Sequence, residues 1–579
     1  MLQSTFVLGR RMDQAQQAGT VFNIDDRRAT SPDRILGRLV ALNGMHGIIA
    51  SRMGGRDGAD NWSIGHLITI VNGSTRVVGV VCELTAANHQ WTDNESNIAH
   101  VKVELTGEII DGASGQPYFS RGIQAYPELG AVAHRIRSRD LAAIYAFGGQ
   151  AGIEIGVLSQ HASIPAAISV DELINRHFAV VGSTGVGKTT SVAMLLHKSM
   201  AVRPNLRVLI IDPHDEYKSH FADQSVVLDS ENLEIPFWMF RFDEILDIIY
   251  AGRTPSAEEA DALYDLIKSA KARYAGVGAP AAGNTVAATL AANSLIRRQA
   301  GPSGDASNIS ADTPVPYRIS DALKIIDEWL GQLEKRYALT DLRSLKNRME
   351  ALSRDPRFKF MFGRTLIEDN MPKLLGHIFR IPADGKRVTI MQLAGLPNEV
   401  VNSVVSVLAR YAFDIALWSG PTYEIAVICE EAHRYIPNDL GLGFGPTRQA
   451  IGRIAKEGRK YGASLGVVSQ RPSELDSTVL SQCSTMFAMR LPNESDKAII
   501  RSAISESSAS IVSFLSSIAD REAIAFGEAI PTPMRMKFAN SDHKRAEPAL
   551  IDSAARAPLS EQQAFMRVIA KLRQDNGYH

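Results

Sequence analysis

The chain has 579 residues, a formal net charge of −1 and 45% apolar side chains. That length suits about three or four domains at ~150 residues each, with ample core. The near-zero charge excludes a global basic field and leaves any nucleic-acid contact to local patches. Three widely spaced cysteines, Cys82, Cys429 and Cys483, support neither a disulfide framework nor a metal cluster and suit a reducing compartment. No apolar run approaches the ~20 residues of a membrane span. The opening stretch MLQSTFVLGRRMDQ lacks a signal-peptide core. A cytoplasmic protein with no membrane partner is expected.

Residues 1–155 read as short strands without helices. Gly37 to Met53 is a strand pair broken at Asn43-Gly44, and Ile64 to Val71 joins Thr75 to Cys82 through Asn72-Gly73-Ser74, a hairpin turn signal. Val101, Val103 and Leu105 alternate with Lys102, Glu104 and Thr106, the period of a half-buried strand. A small barrel acting in assembly or docking fits this pattern. His66, His89 and His100 are scattered and read as ordinary surface or core residues. Ser163-Ile-Pro-Ala is expected to be a loop leading into the core.

The core opens at Phe178 with FAVVGSTGVGKTTSVAM. A four-residue apolar strand precedes Gly182-Ser183-Thr184-Gly185-Val186-Gly187-Lys188-Thr189, which fits GxxxxGK[ST] at every position, with Thr190 following. An apolar helical pattern (Val192, Leu195, Leu196, Met200) comes next. Glycines let successive backbone N–H groups turn inward around an anion, and the helix N-terminus adds partial positive charge. Lys188 then reaches the β- and γ-phosphates of ATP, and the Thr189 hydroxyl ligates Mg²⁺. The next strand, Arg207 to Ile211, ends at Asp212-Pro-His-Asp-Glu216-Tyr217. Carboxylates at such a strand end face the ligand crevice, so Asp212 or Glu216 is expected near the metal or a neighbouring subunit; a turn fixed by Pro213 is the plainer alternative.

Residues 236–375 carry charged helical patterns (Asp243 to Ala251, Ala257 to Tyr274, Ser320 to Tyr337, Asp341 to Ser353) around a Gly/Ala/Ser/Asn/Pro-rich stretch, and read as a helical insertion. Arg297 and Arg298 within that stretch fit a solvated face better than an electrostatic contact. The sheet resumes at Val388 to Leu393, with a helix from Glu399 to Trp418. Ile425 to Cys429 is a buried strand ending in Glu430-Glu431. At such a tip one carboxylate holds the metal's water shell and the next activates the attacking water. Glu430 takes the metal position and Glu431 the base position. Gly452 to Tyr461 is a basic helix carrying Arg453, Lys456, Arg459 and Lys460. Ser464 to Ser469 forms a strand ending at Gln470, placed to sense a γ-phosphate. Met486 to Leu491 and Glu522 to Phe526 add strands to a largely parallel, doubly covered sheet. The core thus covers 156–235 and 376–540, and the extension 541–579 ends in a docking helix with an apolar stripe (Ala564, Phe565, Val568, Ile569, Leu572) and a capping box at Ser560 and Gln563.

RHFAVVGSTGVGKTT (176–190), DPHDEY (212–217), VICEEAHRYIP (427–437), EGRKYGASLGVVSQRPSEL (457–475) and AFGEAIPTPMRM (525–536) together resemble the HerA family of hexameric DNA translocases, within the group that includes FtsK and the conjugative-pilus ATPases. The resemblance implies an α/β fold: a RecA-like P-loop ATPase core with an N-terminal β-barrel, a helical insertion and a C-terminal extension. It implies ATP and Mg²⁺, a homohexamer with sites at subunit boundaries, and duplex DNA in a central channel. It implies Arg459 as a charge-stabilising arginine and Arg176 as one that reaches the neighbouring subunit's nucleotide. Glu430 stands where the family more often has Asp, and Asp215 where it more often has Gly. The implied partner is a nuclease or sirtuin-like effector docking on the barrel or ring face, in DNA-end processing or anti-phage defence. The rival is an ATPase scaffold that activates its partner, or a protein-moving secretion-type ATPase. Lys456, Lys460 or Arg448 are candidates to line the pore.

Overall fold

The computed structural model describes residues 34–53, 62–87, 97–112, 116–145, 152–159, 161–250, 253–275, 309–333, 336–362, 368–439, 441, 445–503, 512, 514–539 and 558–574. Arg297 and Arg298 lie outside them. Two compact units form. The first runs to Leu173 and takes in Gly182–Gly187 and Thr485–Ser541; the second holds Ile174–Val181, Lys188–Ser484 and the residues from Asp542 onward.

The first unit begins with β1 (Ile35–Asn43), β2 (His46–Met53), β3 (Leu67–Asn72), β4 (Thr75–Ala86), β5 (Asn97–Asp111), β6 (Pro117–Arg121) and β7 (Val132–Arg135). The order β2-β1-β7-β3-β4-β5 closes through pairing of β2 with β5, giving a six-stranded antiparallel barrel with β6 added alongside β5. Strand β5 serves both neighbours because it is 15 residues long: Asn97–Glu104 faces β2 and Gly107–Asp111 faces β6. Closure removes the exposed edges of an open sheet. Leu39, Ile49, Ile70, Val77, Val101 and Val103 fill the interior. The alternation along β5 breaks at Glu104 and Glu108, which are only 1% and 2% exposed. The turn at Asn72-Gly73 needs its glycine, since Gly73 has φ +57°.

Strands β8 (Gly152–Leu158) and β9 (His161–Ser169) form a hairpin, so Ser163 to Ala166 is strand rather than the expected loop. Pro165 is tolerated because β9 ends its sheet and pairs only with β8.

The second unit holds β10 (Phe178–Val181), β11 (Leu206–Asp212), β12 (Ser225–Leu228), β13 (Val388–Gln392), β14 (Glu424–Cys429) and β15 (Ala463–Ser469). They pair in parallel in the order β12-β13-β11-β14-β15-β10. Strands β10, β11 and β15 are buried along their whole length, as parallel strands covered on both faces must be. Gly466 in β15 makes this packing possible. A Cβ there would lie 2.6 Å from Ile428 Cδ1 and 2.7 Å from Phe178 Cζ. Helix Asn398–Ser419 is long and apolar enough to cross a membrane by length and composition, a feature the sequence reading passed over; 94% of its most apolar stretch is buried inside the fold.

The helical insertion is present as Phe242–Tyr250, Ala257–Tyr274, Ile319–Leu330, Leu339–Arg354 and Met371–Phe379. A buried pair ties it to the core: Arg410 donates to both Glu244 oxygens at 3.0 and 2.9 Å and to Met239 O at 2.9 Å. Burial pushes the Glu244 carboxyl up, but Arg410 and the other donors outweigh it and hold it below its ordinary value. The basic helix differs from expectation: it spans Gly445–Glu457 and ends in a tight turn at Gly458–Lys460. The C-terminal helix, Pro558–Gln574, buries Phe565, Val568, Ile569 and Leu572 against its own chain, with Glu561 2.9 Å from Arg207. It starts two residues before Ser560, which therefore lies inside the first turn and not at the cap.

In the first unit, β16 (Thr485–Ala488), β17 (Glu522–Gly527) and β18 (Met534–Phe538) run antiparallel, and β18 pairs antiparallel with β8. These strands correct the expected continuation of the parallel sheet. The link from β17 to β18 is a short turn, which fits only an antiparallel pair; parallel neighbours need a longer crossover.

His177 precedes β10 with φ +61° and is 3% exposed. Its Nδ1 accepts from the Leu465 N–H at 3.0 Å and its Nε2 faces Ala455 O at 3.1 Å, which fixes a neutral ring. Burial, with Arg459 nearby, pushes its pKa down to about 4. Below pH ~6.5 the unfolded ring takes up a proton that the folded ring refuses. Stability is therefore complete above that pH and falls as pH drops towards 4, by up to about 3 kcal/mol. His177→Asn, which suits the left-handed backbone, is expected to flatten this part of the acid-unfolding curve in thermal melts between pH 4 and 7.

Candidate active site

The chemistry gathers at the C-terminal ends of the parallel strands. Ile211 pairs with Cys429, Cys429 with Val467, and Val181 with Ser469. The residues that follow β11, β14 and β15 therefore emerge level with one another: Asp212 closes β11, Glu430-Glu431 follows β14 and Gln470 follows β15. Strand β15 lies between β10 and β14, so the strand with the paired acids is not the immediate neighbour of the phosphate-loop strand.

After β10 the chain turns through Gly182–Gly187 and enters helix Lys188–Val202. Gly185 and Gly187 have φ +79° and +99°, conformations that side chains resist. The Ser183 N–H donates to Arg490 O at 2.9 Å, and the Val186 carbonyl accepts from the Arg521 N–H at 2.9 Å, while Val186 itself is buried. These bonds hold the loop's form. Thr184 and Gly185 are exposed at its tip, and Thr190 is half-buried in the first helical turn.

Lys188 is 7% exposed. Burial pushes its ammonium down, while Glu430, Glu431 and Glu216 pull it up. Three carboxylates thus act electrostatically on the lysine. Glu430 and Glu431 are 2% and 3% exposed. Burial and the neighbouring Glu431 raise Glu430 to about 8, against the opposing effects of Tyr217 and Lys188. Glu431 adopts φ +49°, a left-handed backbone uncommon for a side-chain-bearing residue and found at functional sites. The Gln470 side-chain amide donates to Glu431 Oε1, and His433 Nδ1 lies 3.3 Å from Glu431 Oε2 and 3.2 Å from Ser469 Oγ.

Asp212 and Glu216 divide the two readings of their turn. The Asp212 carboxylate accepts from the N–H groups of His214, Glu216 and Tyr217 at 3.3, 3.2 and 3.0 Å, which makes it the brace of the turn. Glu216 accepts from the Thr189 hydroxyl, which puts it at the metal end. Asp215 sits at φ +58°, a conformation glycine adopts more easily. The Thr189 hydroxyl, Glu430 and Glu216 are hard oxygen donors beside the phosphate loop, a set that suits Mg²⁺. Sequence reasoning missed His433 and Tyr217. Both stood inside quoted motifs, but nothing in the spacing alone aims an imidazole at Glu431 or a phenol at Glu430.

Arg176 precedes β10, and Arg459 lies in the turn before β15. Both therefore occupy the N-terminal edge of the sheet, opposite Lys188, Glu431 and Gln470 in the same chain. Arg459, Lys456 and Lys460 are exposed. Arg448 is committed within the chain, donating to Pro437 O and to Asp439 O at 3.2 Å. Arg453 lies over the Phe413 ring at 4.1 Å.

The sheet order and its loaded strand tips define a P-loop ATPase with a RecA-like core, an enzyme that hydrolyses ATP. Similarity narrows the class further. The family model for the central domain of helicase HerA matches residues 153–412. The chain is 26% identical over 434 residues to the DNA double-strand break repair helicase HerA of Pyrococcus furiosus, covering 69% of this chain and 71% of that protein. A probable helicase of Methanocaldococcus jannaschii is 25% identical over 466 residues, 78% of this chain and 79% of the relative. The VirB4 structure from Thermoanaerobacter pseudethanolicus aligns with a TM-score of 0.47 at 16% identity, over 68% of this chain and 98% of that one. The family-model match and the Pyrococcus furiosus relative both lie within the HerA group of helicases.

A base role for Glu431 predicts that Glu431→Gln lowers ATP turnover by about 10² to 10⁴ while nucleotide binding stays intact. Steady-state hydrolysis with a parallel fluorescent-nucleotide titration checks both halves.

Proposed function

We propose that the protein is a homohexameric motor that hydrolyses ATP to move duplex DNA through its central channel, in partnership with a nuclease or other effector. The observation that carries this reading is similarity along about 70% of both chains to proteins named as DNA double-strand break repair helicases. In this reading residues 1–155 are the docking and assembly domain, 156–235 and 376–540 the motor core, 236–375 a helical insertion and 541–579 an extension. The partner serves DNA-end processing or anti-phage defence.

The chain's own residues divide the hydrolytic work. The amides of Gly182–Gly187 and the N-terminus of helix Lys188–Val202 receive the phosphates. Lys188 neutralises the β- and γ-oxygens. Thr189, Glu430 and Glu216 hold Mg²⁺, which when bound draws charge from the phosphate oxygens. Glu431 orients and deprotonates the attacking water. Gln470, resting on Glu431, registers the γ-phosphate and links its presence to the base. Arg176 and Arg459 stand on the sheet edge opposite their own Lys188. That placement supports service to a neighbour's nucleotide and hence a ring. Lys456 and Lys460, free of the ties that hold Arg448, are the better candidates for DNA contact; the near-neutral chain leaves that contact to such local charge.

Two outcomes test this reading. Duplex DNA is expected to raise ATP turnover, with the stimulation declining steeply as salt rises. Turnover indifferent to DNA, with or without the partner, points instead to a scaffold or a protein-moving ATPase. Arg459→Ala is expected to cut turnover about 10³-fold or more, as for other arginine fingers, while mass measurement still finds the hexamer; loss of the ring assigns Arg459 to assembly instead.

A further inference from the structure

Tyr217 closes the DPHDEY turn and is fully buried. Its hydroxyl donates to Glu430 Oε2 at 2.5 Å. The turn delivers this contact by construction. Three N–H groups, those of His214, Glu216 and Tyr217, point at the Asp212 carboxylate, which folds the segment back over the tip of β11. The register pairs Ile211 with Cys429, and the Glu430 N–H donates to Ile211 O at 3.1 Å, so Glu430 starts beside Asp212. The same turn presents Glu216 to the Thr189 hydroxyl. Two consecutive residues of one turn therefore reach the metal set: Glu216, itself assigned to it, meets Thr189, and Tyr217 meets Glu430.

A carboxylate at the end of a glutamate has one more rotatable bond than an aspartate, and needs restraint to hold a fixed place. The phenol supplies it. We propose that Tyr217 is a positioning residue for the Mg²⁺ site: its buried hydroxyl fixes the Glu430 carboxylate in the place where it holds the metal, and the Asp212-braced turn is the device that carries it there. This rests on the reading of Glu430 as a metal-holding group. Hydrogen-bonded partners behind metal-holding carboxylates tune affinity by about 10- to 100-fold.

The bland alternative is a core tyrosine whose hydroxyl takes the nearest acceptor. Such a role affects folding but not the metal dependence of binding. The test uses the full-length protein and a fluorescent ATP analogue, titrated in EDTA and across a range of Mg²⁺ concentrations. Tyr217→Phe keeps the ring and removes only the hydroxyl. The expected result is a rise of about 10-fold or more in the Mg²⁺ concentration for half-maximal stabilisation of nucleotide binding, with the affinity in EDTA and the melting profile close to wild type. A Mg²⁺ midpoint equal to wild type overturns the proposal, as does an equal loss of affinity with and without metal. A second arm guards against a folding effect: in a Glu430→Asp background, where the shorter side chain falls short of the phenol, Tyr217→Phe is expected to change the midpoint no further. A full additional shift there contradicts a route through Glu430. Wild-type binding that ignores Mg²⁺ defeats the metal assignment itself, a separate failure.

Discussion

Burial of the Lys188 ammonium, opposed by the electrostatic pull of Glu430, Glu431 and Glu216, is the constraint around which the candidate site is arranged. Lys188, Glu430 and Glu431 are all buried, and ionisable groups removed from water are tolerated only with partners. In the proposed reaction a triphosphate would bring negative charge to the same cation, and a divalent cation is the group the acids' hard oxygens suit.

That arrangement depends on sheet order. Placing β15 between β10 and β14 sets Gln470 on the strand that separates the phosphate-loop strand from the acidic one. Gln470 is consequently in reach of Glu431, and the two are hydrogen-bonded. Parallel pairing also sends the opposite strand ends, with Arg176 and Arg459, to the far edge.

Within each unit other contacts hold the elements together. Arg410 and Glu244 lock the insertion to helix Asn398–Ser419, and loss of either leaves a buried charge without its partner. The C-terminal helix, too short to be stable alone, gains its order by burying Phe565, Val568 and Ile569 on its own chain. In the first unit, closure of the barrel makes its strands independent of any partner for their own hydrogen bonds.

Much of this was legible in the residues. The phosphate loop, the apolar strand runs, the Glu430-Glu431 tip and the hairpin at Asn72-Gly73 are local patterns with local causes: glycine's backbone freedom, the burial of parallel strands, the turn preference of Asn-Gly. What escaped was set by partners far away in sequence. Periodicity puts Glu104 on a solvent face, yet it is buried; Ser163-Ile-Pro-Ala looks like a loop, yet an edge position accommodates its proline. The antiparallel course of β16 to β18 is equally invisible, because an apolar run carries no direction. The sequence by itself determined which chemical groups the protein owns and the strand ends that carry them. Tertiary structure alone decided that Tyr217 meets Glu430 across 213 positions of chain and that Gln470 rests on Glu431, because contacts between strand tips follow from pairing order and register, which no stretch of residues encodes alone.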